Sequence, residues 1–312
     1  MRQGRRPVQA SRRADRRAGG ARRPRRRPRL SAHRCGFVAL LGRPNAGKSQ
    51  LLNALLGEKL AIVSAKAQTT RARMLGVLSR PEAQILLHDT PGLHRGERKF
   101  NQWMNERALE TAEGADLRLL LFEAGARWDE PEERVAALPG PLVLAHTKCD
   151  LGPPGRVPRP ERFARIVEIS ALTGQGLEAL VEALAGLLPE GPALFPDDTL
   201  TDANMRFLGA EQIREVVYEL YRDEIPYAVA VEIDEWKETD DALRIRANLL
   251  VERESQKGIV LGAGGGALKA LGIEARRRLS DRLDKTVHLA LWVKLDKNWT
   301  KRPKRARELG YL

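Results

Sequence analysis

An α/β domain with a mostly parallel sheet and helices on both faces, followed by a small α+β domain, is the fold class this sequence predicts. From residue 36 to residue 188, short apolar runs alternate with helically spaced segments. That is the pattern of parallel strands whose crossovers cover both faces of a sheet. Three Pro and one Gly within residues 189–198 then break the rhythm, as a linker would. Beyond the break the order becomes α-β-β-α-α-β.

Taken in order, residues 36–41 are a short apolar strand and 49–56 a helix. Residues 74–78 and 84–88 flank Arg80-Pro81-Glu82 and read as a hairpin. Residues 98–114 have helical spacing, 117–122 are apolar, and 130–138 are helical again. Residues 142–146 and 166–169 are further short strands, and 177–188 close the domain with a helix. In the second domain, 204–222 form a helix with Phe207, Ile213, Val216, Val217 and Leu220 on one side. Residues 227–236 and 243–252 alternate as strands, 257–260 lead into a glycine cluster, 268–283 are helical, and 286–295 form an apolar strand. The boundaries predicted are a tail at 1–34, an α/β domain at 35–189, a linker at 190–203 and the second domain at 204–312.

The chain has 312 residues and a net charge of +13, a length that suggests two domains. The charge is unevenly placed. Residues 1–34 hold fourteen Arg and one acid, Asp15, whereas the remainder carries 40 basic and 40 acidic residues. Basicity of the whole chain therefore says nothing about the domains. The tail lacks an apolar face and is expected to be disordered, either as a basic arm for RNA phosphates or as an extension without a role. No run reaches the length of a transmembrane helix. Two cysteines, Cys35 and Cys149, cannot build a disulfide framework, so a reduced, cytoplasmic setting is expected.

Residues 42–49 read Gly-Arg-Pro-Asn-Ala-Gly-Lys-Ser, which fits G-x-x-x-x-G-K-[ST] between a strand and a helix, a P-loop. Gly42 and Gly47 let the backbone of Asn45 and Ala46 wrap a phosphate, and the helix N-terminus adds a favourable dipole. Lys48 would reach the β and γ phosphates, and Ser49 would ligate Mg²⁺. Asp89-Thr90-Pro91-Gly92 is by itself a plain turn. After a strand and downstream of a P-loop, Asp89 suits Mg²⁺ and the Gly92 N–H a γ-phosphate. Thr147-Lys148-Cys149-Asp150 ends the next apolar strand but one. Asp150 can accept from guanine N1–H and its exocyclic amine, a donor pair adenine lacks, and the Lys148 stem can lie along the base. Ser170-Ala171-Leu172 can offer a backbone N–H to guanine O6. These sites fall at the carboxyl ends of strands, where α/β sheets bind ligands.

These four motifs, in this order, resemble those of translation-factor-class GTPases. The segment 66–71, Lys-Ala-Gln-Thr-Thr-Arg, resembles the first switch of the Era family. The family's Mg²⁺-binding threonine maps to Thr70, with Thr69 the adjacent alternative. The likeness extends from about residue 36 to residue 311 and implies an α/β P-loop NTPase domain followed by a KH domain. It implies GTP/GDP and Mg²⁺ as ligands, GTP hydrolysis, and Lys48, Thr70, Asn45 and Gly92 as the catalytic residues. Two departures stand out. The family's Asn-Lys-x-Asp appears here with Thr147, which is expected to weaken a contact to the P-loop. Leu93 stands where Ras-like enzymes place a water-orienting glutamine, so slow turnover or a borrowed group is expected. In similar GTPases an asparagine at the Asn45 position helps hold K⁺; equal hydrolysis in sodium and potassium buffers would remove that role here. His94 is expected to face solvent.

Gly262-Ala263-Gly264-Gly265 admits two readings. Gly262, Gly264 and Ala267 fit G-x-G-x-x-A, but the acid twenty residues on, Asp284, precedes a strand instead of ending one, so the dinucleotide-binding context fails. The other reading is the G-x-x-G loop of a type II KH domain, which clamps a nucleic-acid backbone beside an apolar groove. Residues 197–256 carry a net −9 and residues 257–307 a net +10, polarised toward that loop. Phosphate contact is expected from Gly262, Ala263, Gly264, Gly265, Lys269, Arg276 and Arg277. The resemblance implies small-subunit ribosomal RNA and the small ribosomal subunit as partners of a monomer. Peripheral membrane contact is a further expectation, since the sequence does not distinguish lipid phosphate from RNA phosphate. Trp299 and His288 are read as core residues.

Overall fold

A computed structural model describes residues 33–311 apart from 65, 67, 68, 72 and 95–98; the tail expected to be disordered lies outside the described residues. The first sheet starts at β1 (Arg34–Gly42) and continues through α1 (Lys48–Leu56), β2 (Met74–Arg80), β3 (Ala83–Asp89), α2 (Lys99–Glu113) and β4 (Leu117–Glu123). Then come α3 (Glu130–Ala136), β5 (Leu142–Thr147), β6 (Arg165–Glu168) and α4 (Leu177–Leu187). Strand order is β2-β3-β1-β4-β5-β6, with only β2 and β3 antiparallel. β1 begins one residue inside the segment read as tail.

The period of two along β1 assigns the two faces. Val38 and Leu40 join Leu51, Leu52 and Leu55 of α1 and Leu180 and Leu184 of α4. Ala39 and Leu41 join Ala108 and Ala112 of α2 and Val135 of α3. A capping box at Asp129 starts α3, with Pro131 in its first turn.

Residues 190–203, read as a linker, lie along the first sheet. The Val77 N–H donates to Leu200 O at 2.9 Å, and Gly76 bridges Thr201. Fully buried Gln84 accepts from the Leu194 and Phe195 N–H groups at 2.8 and 2.9 Å and donates to Phe195 O at 2.8 Å.

The second half runs α5 (Met205–Leu220), α6 (Ile225–Ala228), β7 (Ala230–Glu238), β8 (Ala242–Val251), α7 (Glu254–Leu261), α8 (Gly266–Leu283), β9 (Thr286–Leu295) and α9 (Pro303–Glu308). Its sheet is β7-β8-β9, antiparallel then parallel. α5 and α8 pack on one face through Ile213, Val216, Val217, Leu271, Ala275 and Leu279. Three expectations are corrected. The strand expected from 227 starts at Ala230, because Pro226 in a first helical turn favours the short α6. Leu220 is exposed at the end of α5, and Tyr221 takes the buried place. His288 is exposed rather than core, since its neighbour Val287 occupies the inward position of β9. Both halves belong to one compact unit that begins at His33. Among the described residues, no single helix is long and apolar enough to cross a membrane.

Candidate functional site: a nucleotide cleft and a nucleic-acid groove

β1 delivers the chain into the P-loop, and α1 starts at Lys48 with Gly47 as its N-cap. The free N–H groups of that first turn face a cleft of about 310 Å³ lined by Asn45, Gly47, Lys48, Ser49, Thr70, Gly92 and Lys148. Lys48 is 6% exposed, and its ammonium donates to Gly42 O at 3.1 Å and Arg43 O at 2.9 Å. Burial pushes its pKa down to about 8, against the opposing pull of Asp89. Arg43 ties the loop to α3, its Nε and Nη2 donating to Glu132 at 2.6 Å each.

Three oxygens meet beside Lys48. Ser49 Oγ donates to Asp89 Oδ2 at 2.7 Å and lies 2.6 Å from Thr70 Oγ1, which reaches the same Oδ2 at 3.1 Å. Thr70, of the two candidate threonines, is the one whose hydroxyl joins this set. Hard oxygens around one point suit Mg²⁺. Asp89 Oδ1 is buried without a hydrogen-bond partner, and burial raises the Asp89 pKa, so the donor set fits a cation. Gly92 packs on the P-loop: a Cβ there would come within 2.6 Å of Pro44 N. The next residue's N–H donates to Gly42 O at 3.0 Å.

The loops expected to read a base, after β5 and β6, are joined to each other and to the P-loop. The Cys149 N–H donates to Ile169 O at 3.2 Å. Thr147 Oγ1 donates to Ala46 O at 2.9 Å; the bridge expected to weaken with threonine is therefore made. Lys148 Nζ pairs with Glu123 at 2.7 Å, and Asp150 is exposed on the turn beyond. Buried Ser170 donates its N–H to Gln175 O at 3.0 Å, which leaves the N–H groups of Ala171 and Leu172 as the candidates to face a base. Leu93 is 5% exposed and packs with Ala39, Leu41 and Ala108. His94 does not face solvent as expected: its Nε2 is buried without a partner, and burial, then Lys48, lowers its pKa to about 4.

In the second half, α7 ends at Leu261 and α8 begins at Gly266. The turn between them needs positive φ at Gly262 (71°), Gly264 (57°) and Gly265 (78°), which Ala263 avoids. A groove of about 340 Å³ opens beside it, lined by Gly265, Leu268, Lys269, Ile273, Arg276 and Leu291. Arg277 is set apart from this group: it is held by Asp281 at 2.7 Å and Glu274 at 2.8 Å. Residues the sequence reading did not single out lie between the two halves, among them Arg71 and Arg214, each fully buried.

A P-loop flanked by an oxygen triad, with loops at two further strand ends joined to it and an α-β-β-α-α-β partner, defines a P-loop GTPase joined to a KH domain. Residues 37–148 match the family described as 50S ribosome-binding GTPase, and residues 224–300 match the KH domain. The chain is 45% identical over 293 residues to GTPase Era of Geobacter metallireducens, covering 89% of this chain and 98% of the relative. It is 41% identical to GTPase Era of Lacticaseibacillus paracasei, covering 90% and 98%. Among solved structures, it resembles Era in complex with MgGDPNP and nucleotides 1506–1542 of 16S ribosomal RNA, with a TM-score of 0.82 and 38% identity over 89% of this chain and 99% of that one. It also resembles a single-residue variant of Aquifex aeolicus Era bound to GDP.AlF4⁻, with a TM-score of 0.81 and 38% identity over the same shares. The chain belongs to the Era GTPase family.

Proposed function

We propose that the protein hydrolyses GTP in the P-loop cleft and that its nucleotide state controls how the KH groove binds the 3′ end of small-subunit ribosomal RNA during 30S assembly. The observation that carries this reading is the convergence of Ser49, Thr70 and Asp89 beside Lys48, in one compact unit with a groove bearing Lys269 and Arg276. Ser49 and Thr70 would hold Mg²⁺, with Asp89 behind them. When bound, the ion supplies positive charge to the β and γ phosphate oxygens. Lys48 exchanges its two carbonyl partners for those oxygens. Backbone N–H groups of the P-loop and of Gly92 would stabilise the charge that develops as water attacks the γ-phosphate. Asp150 reads guanine, and the Lys148 stem covers the ring. Catalysis is positioning and charge neutralisation.

The Leu93 side chain is spent in the core, so no group at that position orients the water. Turnover is slow without another group, and K⁺ held at Asn45 is the candidate. That supports a second reading, a nucleotide-gated RNA binder with negligible turnover, which single-turnover hydrolysis with and without RNA separates from the first. A cytoplasmic setting accords with this role; contact with a membrane surface would draw on the same basic groups.

The deciding experiment measures labelled RNA of the small-subunit 3′ end binding to residues 33–312, which keep β1 whole, with GDP and with a non-hydrolysable GTP analogue, beside a scrambled RNA at two salt concentrations. Tighter, sequence-dependent binding with the analogue is expected. Equal and steeply salt-dependent binding of both RNAs would reduce the groove to generic phosphate attraction.

A further inference from the structure

Lys66, Thr69 and Arg71, in the segment that resembles a first switch, are held by the KH half. Lys66 Nζ donates to the carbonyls of Tyr218 and Tyr221 at the end of α5. Arg71 is 1% exposed. Its Nη1 donates to Val229 O at 2.9 Å, and its Nη2 to Pro226 O at 2.8 Å and Tyr218 Oη at 3.1 Å. The guanidinium lies 5.8, 5.9 and 5.7 Å from the ring centroids of Tyr218, Trp299 and Tyr311, within cation–π range of all three. Arg214 of α5, locked by Glu211, donates to the Thr69 carbonyl.

The chain is thus gripped on both sides of Thr70, at the Thr69 carbonyl and at the Arg71 side chain. Between these two holds lies Thr70, whose hydroxyl meets Ser49 Oγ and Asp89 Oδ2. A buried guanidinium with carbonyl acceptors and aromatic walls is costly to withdraw, because the cage would be left polar and unfilled. The hold is therefore a discrete state and not a loose contact.

We propose that the KH domain completes the GTPase site: Arg71 and Arg214 are positioning residues that place Thr70 at the metal. The inference rests on Thr70 being the Mg²⁺ ligand proposed above. By linkage, whatever loosens the KH grip weakens the metal-bound GTP state, and the converse holds equally. GDP binding, which lacks the γ-phosphate that brings the switch in, is indifferent to the grip.

The test uses the full chain and a fluorescent non-hydrolysable GTP analogue, reading the Mg²⁺ concentration for half-maximal binding, with a fluorescent GDP analogue as control. Arg71→Ala is expected to raise that concentration about tenfold for the GTP analogue and to leave the GDP analogue within about twofold. Arg214→Lys, which keeps the pairing with Glu211, moves it in the same direction by less. In a Thr70→Ala background, adding Arg71→Ala changes nothing further, because the grip acts through Thr70. A urea midpoint for each variant separates lost fold from lost positioning, and Arg214→Lys carries the test if Arg71→Ala is too unstable. If Thr70→Ala itself has no effect, the metal assignment fails and the inference with it. If Thr70→Ala acts but neither arginine variant does, or the effects of Arg71→Ala and Thr70→Ala simply add, the positioning role is overturned while the site stands.

Discussion

Asp150 stands exposed on the turn after β5, and its carboxylate is the group proposed to read guanine. Asp150→Asn exchanges an acceptor for a donor and is expected to shift preference from guanosine toward xanthosine nucleotides; competition binding against both measures it. His88 makes a different kind of claim. It stacks on Phe37 at 5.3 Å, its Nδ1 is buried without a partner, and burial, aided by Arg73, lowers its pKa from 6.5 to about 4. The folded state holds it neutral while the unfolded chain takes up a proton below 6.5. Its contribution is therefore complete above that pH and is lost as pH falls toward 4. His88→Leu is expected to flatten the fall of the urea midpoint over that window relative to the parent chain. Residues tied to a local motif were singled out by spacing, and the structure brings three of them, Lys48, Ser49 and Asp89, together. The contacts of Arg71 and Arg214 were not legible that way. Arg71 reads as the last letter of a switch motif, and its acceptor at Val229 is 158 residues away, a separation no local pattern reports.

At the scale of elements, periodicity located the strands and the longer helices, since each buries one face and its sequence says which. The short α6 and α9 escaped it, and so did the stretch between the domains. Its prolines suppress any period, so it reads as a plain connector, yet it lies against β2 through Val77 and Gly76. Gln84 is the pin, satisfying two backbone N–H groups that no strand partner reaches. Gln84→Leu keeps the bulk and removes the acceptor. It is expected to lower stability by about 1–3 kcal/mol, read as a drop in urea midpoint, without altering nucleotide affinity. His288 shows the opposite error: its apolar neighbours suggest a core place, although the period of two along β9 turns it outward.

For the whole molecule, the two halves meet through Arg71, through Arg214, and through Trp299, whose indole packs edge-on against Phe100 of α2 at 5.7 Å and donates to Ala228 O at 2.9 Å. Trp299, expected to serve the second domain alone, belongs to both. The factor by which a GTP analogue tightens RNA binding is therefore expected to equal the factor by which RNA tightens binding of the analogue. Calorimetric titrations in both orders test this, and unequal factors would mean that the two sites are not in one equilibrium. The aromatic cage also has a consequence in time. Domains fold as units in the order they are made. Arg71 leaves the ribosome well before Tyr218, Trp299 and Tyr311, so a nascent G domain can bury its sheet but must wait for the carboxyl-terminal residues before its first switch is anchored.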